Sequence, residues 1–210
     1  MMSQQPTTLT DRVRKLTSGL MTRLGTRLYR LGLHPDMITV LGLLIVMIAS
    51  VVVAAGYLQW GGIILLLGLP LDAVDGAVAR AMQRKDKFGA MLDSSLDRYA
   101  DGLIFGALSY YFAVQDEFGW MVMALAAILG SFMVSYTRAR AEGLGVDVKI
   151  GLFSRLERVI VILGMLLTPD VFGIPILEIG LLVLAVGTNF TGMQRLWYVY
   201  RTLMQREDKS

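Results

Sequence analysis

Apolar residues come in six long runs, roughly Met37 to Ala55, Gly61 to Gln83, Phe88 to Ala113, Phe118 to Glu142, Leu152 to Leu167 and Ile174 to Tyr200. All but the fifth approach or exceed the about 20 residues that a helix needs to span a bilayer. Lysine and arginine are absent from 41 to 79, from 99 to 137 and from 159 to 194. Each silent block covers one turn and the apolar residues on both sides of it, so three helical hairpins are predicted, with outer turns at Gly56 to Trp60, Gln115 to Gly119 and Thr168 to Pro175. The cations all fall on the other side, which the positive-inside rule assigns to the cytoplasm together with both termini. Ahead of the first run, Arg12, Arg14, Lys15, Arg23, Arg27 and Arg30 alternate with Leu16, Leu20, Leu24, Leu28 and Leu31. This spacing predicts an amphipathic helix over Thr10 to Leu33, lying on the membrane surface or facing solvent or a partner. His34-Pro35-Asp36 breaks it, with proline suited to a first helical position and aspartate to the positive end of the next helix. His34, the only histidine, reads as a turn residue rather than a base.

The expected fold class is therefore an all-α integral membrane protein, six transmembrane helices preceded by an amphipathic juxtamembrane surface helix. Residues 1–36 form the tail and surface helix, and 37–210 the membrane domain. Composition agrees: 55% of the 210 residues are hydrophobic and 18% charged, with a mean hydropathy of +0.58, too apolar for an ordinary soluble domain. A net charge of +3 follows from basic loops and does not call for a nucleic acid. The first long apolar run begins near Met37 after a basic, polar stretch, so no secretory signal pattern is present. Cysteine is absent, which excludes disulfides, a thiolate nucleophile and thiolate metal ligands. Any metal must bind oxygen.

Four carboxylates stand out against this background. Asp72 and Asp75 are three apart near the end of the second run, and Asp93 and Asp97 four apart near the start of the third. Each pair shares a helical face, and the intervening basic turn, Met82 to Lys87, makes the two helices antiparallel neighbours whose carboxylates converge near the cytoplasmic surface. Intramembrane carboxylates are expensive and usually functional. Four together repel one another unless cations neutralise them. Hard divalent ions such as Mg²⁺, Mn²⁺ or Ca²⁺ suit an oxygen-only site, and a pair of ions about 4 Å apart is a known arrangement for displacement at phosphorus. Gly76, Ala79 and Gly89 are small enough to let a phosphorylated ligand approach the backbone. Arg80 either holds a phosphate or pairs with an aspartate. The bland alternative for the aspartates is interfacial anchoring by Arg80, Arg84 or Arg98.

The segment Asp72-Ala-Val-Asp75-Gly76-Ala-Val-Ala79-Arg80, eight residues, then Gly89-Ala-Met-Leu-Asp93-Ser-Ser-Leu-Asp97 resembles the signature of the CDP-alcohol phosphotransferase family, D-x2-D-G-x2-A-R-x8-G-x3-D-x3-D. Six spanning helices after a surface helix resemble that family too, so the likeness covers nearly the whole chain. It implies an enzyme that transfers a phosphatidyl-type group from a CDP-linked lipid to an alcohol and releases CMP. It further implies two divalent cations, Mg²⁺ or Mn²⁺, held by Asp72, Asp75, Asp93 and Asp97, with Asp97 also the general base. Gly76, Ala79, Arg80 and Gly89 would hug the cytidine nucleotide, joined more weakly by Asp36 and Thr39, where helix capping explains Asp36 equally well. A homodimer is expected on the same ground.

Ser135-Tyr-Thr-Arg138-Ala-Arg-Ala-Glu-Gly143, Arg155-Leu-Glu-Arg158 and Gln194-Arg195 resemble the phosphatidylinositol-phosphate synthase branch. There three basic residues bind the phosphate of inositol phosphate, and the matching positions are Arg138, Arg158 and Arg195. The first is commonly lysine in that branch, so Arg138 is a departure. The implied reaction joins CDP-diacylglycerol to inositol 1-phosphate. Glycerol 3-phosphate is the nearest competing acceptor, as in a phosphatidylglycerophosphate synthase, and an ether-lipid (archaetidyl) donor is the competing lipid. Asp101, one turn beyond Asp97, either orients a site residue or pairs with Arg98. A divalent-cation transporter would also place carboxylates in helices, but it needs a polar path outward, which the outer halves of the hairpins lack.

Overall fold

The hairpin pattern seen in the sequence is the pattern of the fold. The computed structural model describes residues 34–81 and 87–207 together with Arg23, Arg27 and Gly32; at 69, 70, 72, 73, 75–77 and 79–81 it describes the backbone alone. Six helices follow one another among these residues: α1 (Pro35–Ala54), α2 (Leu58–Ala81), α3 (Lys87–Val114), α4 (Phe118–Gly143), α5 (Arg155–Leu167) and α6 (Ile176–Glu207). The expected surface helix lies almost wholly outside the described residues, of which Arg23 and Arg27 are helical and exposed.

Local chemistry sets the boundaries. Pro35 opens α1 with its fixed φ and no wasted N–H, His34 is its N-cap and Asp36 sits in the first turn, where the helix dipole favours an anion. Gly56, at φ +91, turns the chain between α1 and α2, a conformation that costs glycine nothing. The fifth helix starts at Arg155 rather than Leu152. The chain from Leu144 to Ser154 instead forms an irregular loop that buries Val146 and Val148. The third outer turn carries a minimal antiparallel pair, β1 (Asp170–Val171) and β2 (Ile174–Pro175), with Val171 opposite Ile174. The last helix runs past the expected Tyr200 to Glu207.

Packing joins α1 to α2 and α3, α3 to α4, α4 to α6, and α5 to α2 and α6. Three helices are long and apolar enough to cross a membrane among the described residues: α1, α4 and α6. In α3 the first half carries Asp93, Asp97, Arg98 and Asp101, and α5 has only 13 residues.

The large apolar core is one-sided. It gathers Val53 and Leu58 at the first outer turn, Phe105, Leu108 and Phe112 late in α3, Ala124 and Ala127 early in α4, Met165 and Leu166 at the end of α5, and Leu181 and Leu184 early in α6. All of these belong to the outer halves of the helices. Among the described residues the inner halves hold two small clusters, Ile38 with Val74 and Val78, and Ala141 with Val146 and Val148. Close contact in the outer and middle layers depends on small residues, as membrane helix packing generally does. At Gly130 an added Cβ would lie 2.0 Å from Thr188 Oγ1 and 2.8 Å from the Asn189 backbone nitrogen. Asn189 ties the same two helices by donating to the Ala126 carbonyl at 2.8 Å. Gly130→Ala is expected to cost roughly 1–3 kcal/mol by overpacking. Gly106→Ala, whose Cβ would meet nothing within 4 Å, should cost nothing measurable; thermal unfolding of both variants in detergent checks the contrast.

Candidate active site at the inner ends of the helices

Because the chain runs up and down, the start of α1, the end of α2, the start of α3, the end of α4, the start of α5 and the end of α6 all lie at one end of the bundle. Every sequence-predicted site residue sits on one of these six segments. Asp72, Asp75, Gly76, Ala79 and Arg80 are in the last three turns of α2, and their side chains lie outside the described atoms. Gly89, Asp93 and Asp97 are in the first three turns of α3. Asp36 and Thr39 are in the opening turns of α1, with Asp36 Oδ2 3.4 Å from His34 Nδ1 and the Thr39 hydroxyl donating to the Pro35 carbonyl at 3.1 Å.

The charged partners of α3 come from α5. Arg155 Nη2 lies 2.7 Å from Asp97 Oδ1, and Arg158 Nη2 donates to Asp101 Oδ2 at 2.8 Å. The α3 aspartates are four apart and the α5 arginines three apart, each pair on one helical face, so the two rungs match. Arg98 adds a third cation, 3.8 Å from the other oxygen of Asp97, while donating to the Ser94 carbonyl. The arrangement has a physical cause. Arginines in the first turns of a helix oppose its dipole, and Asp97 and Asp101 supply the compensating charge. The sequence contained the signal, a matched spacing of acids and bases on two helices, but the sequence reading offered Arg80, Arg84 and Arg98 as partners for the aspartates and missed Arg155.

The three arginines expected at a phosphate differ in setting. Arg138 is half-exposed, and its Nε donates to Glu142 at 2.9 Å, one turn on. Arg158 is buried. Arg195 is buried too: its Nε donates to the Ile150 carbonyl at 2.9 Å and its Nη1 to the Val134 carbonyl at 2.6 Å. It thereby pins the 144–154 loop between α4 and α6. That loop approaches α6 so closely at Gly151, φ +110, that a Cβ there would lie 2.2 Å from the Thr191 side chain. Arg138, Arg158 and Arg195 thus come from three different helices, at the end of the bundle where α4 ends and α5 begins.

The donor set fits divalent cations. Asp93 and Asp97 lie one turn apart on one face of α3, Asp97 already engages cations through both oxygens, and the backbone of α2 brings 72 and 75 to the same end of the bundle. No group of three potential metal ligands occurs among the described residues, a set that leaves out the Asp72 and Asp75 side chains.

The model of the CDP-alcohol phosphatidyltransferase family matches residues 32–191. The chain belongs to this family. It is therefore an enzyme of that class, and three helices able to cross a membrane fit a multi-pass membrane protein. It is 37% identical over 174 residues to the archaetidylinositol phosphate synthase of Methanothermobacter thermautotrophicus, across 83% of this chain and 87% of that one. To the phosphatidylinositol phosphate synthase of Mycobacteroides abscessus it is 35% identical over 195 residues, covering 85% and 87%. The fold is similar to the crystal structure of Mycobacterium tuberculosis phosphatidylinositol phosphate synthase with CDP-DAG bound, with a TM-score of 0.79 and 31% identity over 86% of this chain and 93% of that one. The same M. tuberculosis enzyme is known in complex with manganese and citrate.

Arg195→Lys keeps the charge but loses the planar fork that reaches two carbonyls. It is expected to cost about 1–3 kcal/mol and to speed amide hydrogen exchange between Leu144 and Ser154 more than in the outer turns, as hydrogen-exchange mass spectrometry would read.

Proposed function

We propose that the protein joins CDP-diacylglycerol to inositol 1-phosphate, releasing CMP and leaving phosphatidylinositol phosphate in the membrane. The observation that carries this reading is that Arg138, Arg158 and Arg195 stand on three helices whose inner ends share one end of the bundle, with Arg158 bonded to Asp101 of α3. Acids alone suit any CDP-alcohol transfer, whereas three guanidiniums from three helices suit an acceptor that brings its own phosphate dianion. The start of α5 presents the positive end of its helix dipole, which adds to that preference for an anion. The named relatives support the same acceptor. One makes an archaetidyl and the other a phosphatidyl lipid, but both names contain inositol phosphate. They also favour a second reading for the donor, an ether-linked CDP-lipid.

In this proposal Asp72, Asp75, Asp93 and Asp97 hold two divalent cations, Mg²⁺ or Mn²⁺, in keeping with the manganese complex of the M. tuberculosis enzyme. When bound, such ions neutralise the pyrophosphate and stabilise the leaving nucleotide. Gly76, Ala79, Arg80 and Gly89, with Asp36 and Thr39, line the nucleotide side. Arg138, Arg158 and Arg195 orient the acceptor by its phosphate. Asp97 takes the proton from the attacking hydroxyl; the new bond forms between that oxygen and the phosphorus carrying the lipid, and the bond from that phosphorus to CMP breaks. Asp97 is held for this task by Arg155, which fixes one carboxylate oxygen.

The same proposal includes six membrane-spanning helices over 37–210, an amphipathic surface helix within 1–36, both termini on the cytoplasmic side of the cell membrane, and a homodimer. The one-sided core speaks for an active site near the cytoplasmic surface and against a transport path, since the main buried cluster of the outer half is apolar.

Purified protein incubated with CDP-diacylglycerol, Mg²⁺ or Mn²⁺, and separately inositol 1-phosphate, glycerol 3-phosphate, inositol and serine is expected to release CMP with inositol 1-phosphate. Faster turnover with glycerol 3-phosphate would move the assignment to that acceptor, and faster turnover of an archaetidyl donor would change the lipid. Asp97→Asn is expected to lower kcat at least about a hundredfold while nucleotide binding, followed by calorimetry with CMP, stays near wild type. Full activity in that variant excludes Asp97 as the base.

A further inference from the structure

Asp101 lies outside the aspartate signature, one turn beyond Asp97, and only 6% of its surface is exposed. A buried carboxylate needs a counter-charge. Of the two roles open to it, pairing with Arg98 and orienting a site residue, the structure takes the second: its Oδ2 accepts from Arg158 Nη2 at 2.8 Å.

Arg158 is 2% exposed. Its Nη1 reaches the Phe153 carbonyl at 3.4 Å, so one anchor comes from α3 and one from the loop before α5. Two anchors fix the plane of a guanidinium. Its Nε is buried and has no partner among the described residues. An unsatisfied buried N–H on a charged group is costly, and an arginine kept only as a strut between helices has no use for it. The backbone of α5 packs mainly on α2 and α6, so the bond adds a polar link from α5 to α3. Asp101 also places one negative charge among guanidiniums that repel one another, Arg158 and Arg98 beside it and Arg195 beyond.

We infer that Asp101 is a positioning residue for the acceptor: it holds Arg158 so that the free edge of the guanidinium faces the acceptor's phosphate. The inference rests on Arg158 belonging to the acceptor pocket proposed above. It adds a second tier to that pocket, in which an acid that touches no substrate sets the aim of a base that does.

The test uses the full-length enzyme with CDP-diacylglycerol, Mn²⁺ and varied inositol 1-phosphate. For Asp101→Asn, the KM for the acceptor is expected to rise about tenfold or more, as for loss of one ordered charge-assisted contact, while the KM for the lipid donor stays within about twofold. Inorganic phosphate should lose potency as a competitor of the acceptor by a similar factor. Asp101→Glu, which keeps the charge, should recover part of the acceptor KM. If Asp101→Asn unfolds because Arg158 is left as an unpaired buried cation, Asp101→Asn/Arg158→Gln decides. It should regain the wild-type unfolding temperature without regaining the acceptor KM. Recovery of both together, or equal changes in the two KM values of a folded Asp101→Asn, reduces Asp101 to a strut and overturns the inference. A wild-type enzyme that turns over no phosphorylated acceptor overturns the proposed function itself, whatever the variants do.

Discussion

Charges placed in an apolar bundle must find counter-charges, and the structure is organised around that requirement. Asp97 and Asp101 project from α3 toward Arg155 and Arg158 at the start of α5. Neither set is tolerable alone, the acids because they are half or fully withdrawn from water, the bases because they stand at the positive end of a helix. Together they tie α3 to the start of α5, whose backbone packs mainly on α2 and α6. Both signs of charge therefore meet between α3 and α5 at one end of the bundle.

The apolar residues complement this arrangement by their position. Phe105, Leu108, Met165, Leu166, Leu181 and Leu184 are almost fully buried and all lie in the outer half. Stability in that half comes from close packing around small residues such as Gly61 and Gly130 and from cross-helix bonds such as that of Asn189. In the inner half, hydrogen bonds from arginine take over part of the same work. Arg195 spans α4, the 144–154 loop and α6, and so serves the frame.

Much of this was legible in the sequence. Gaps in the lysine and arginine distribution marked the three hairpins, and the helix limits differ from the apolar runs by a few residues. The start of α5 differs because Leu152 and Phe153 are apolar yet belong to a loop: Phe153 packs against Gly187, which spacing along one segment cannot show. The carboxylates were legible because intramembrane acids are costly and their spacing matched a known signature. The partners of Asp97 and Asp101 were not, since α3 and α5 are separated by the whole of α4 and only their three-dimensional approach decides which cation each acid meets. The buried state of Arg195 was hidden for a similar reason, because its acceptors are backbone carbonyls and any residue type can provide one.

Among Arg138, Arg158 and Arg195, the least constrained is Arg138. It is half-exposed and, among the described residues, bonded to Glu142 on its own helix alone, while Arg158 and Arg195 are committed to α3 and to the 144–154 loop. Tolerance to substitution is thus concentrated at one position. A lineage can exchange the cation at 138, or shorten it, without disturbing the frame, whereas exchanges at 158 or 195 demand compensating changes in other elements before they can persist.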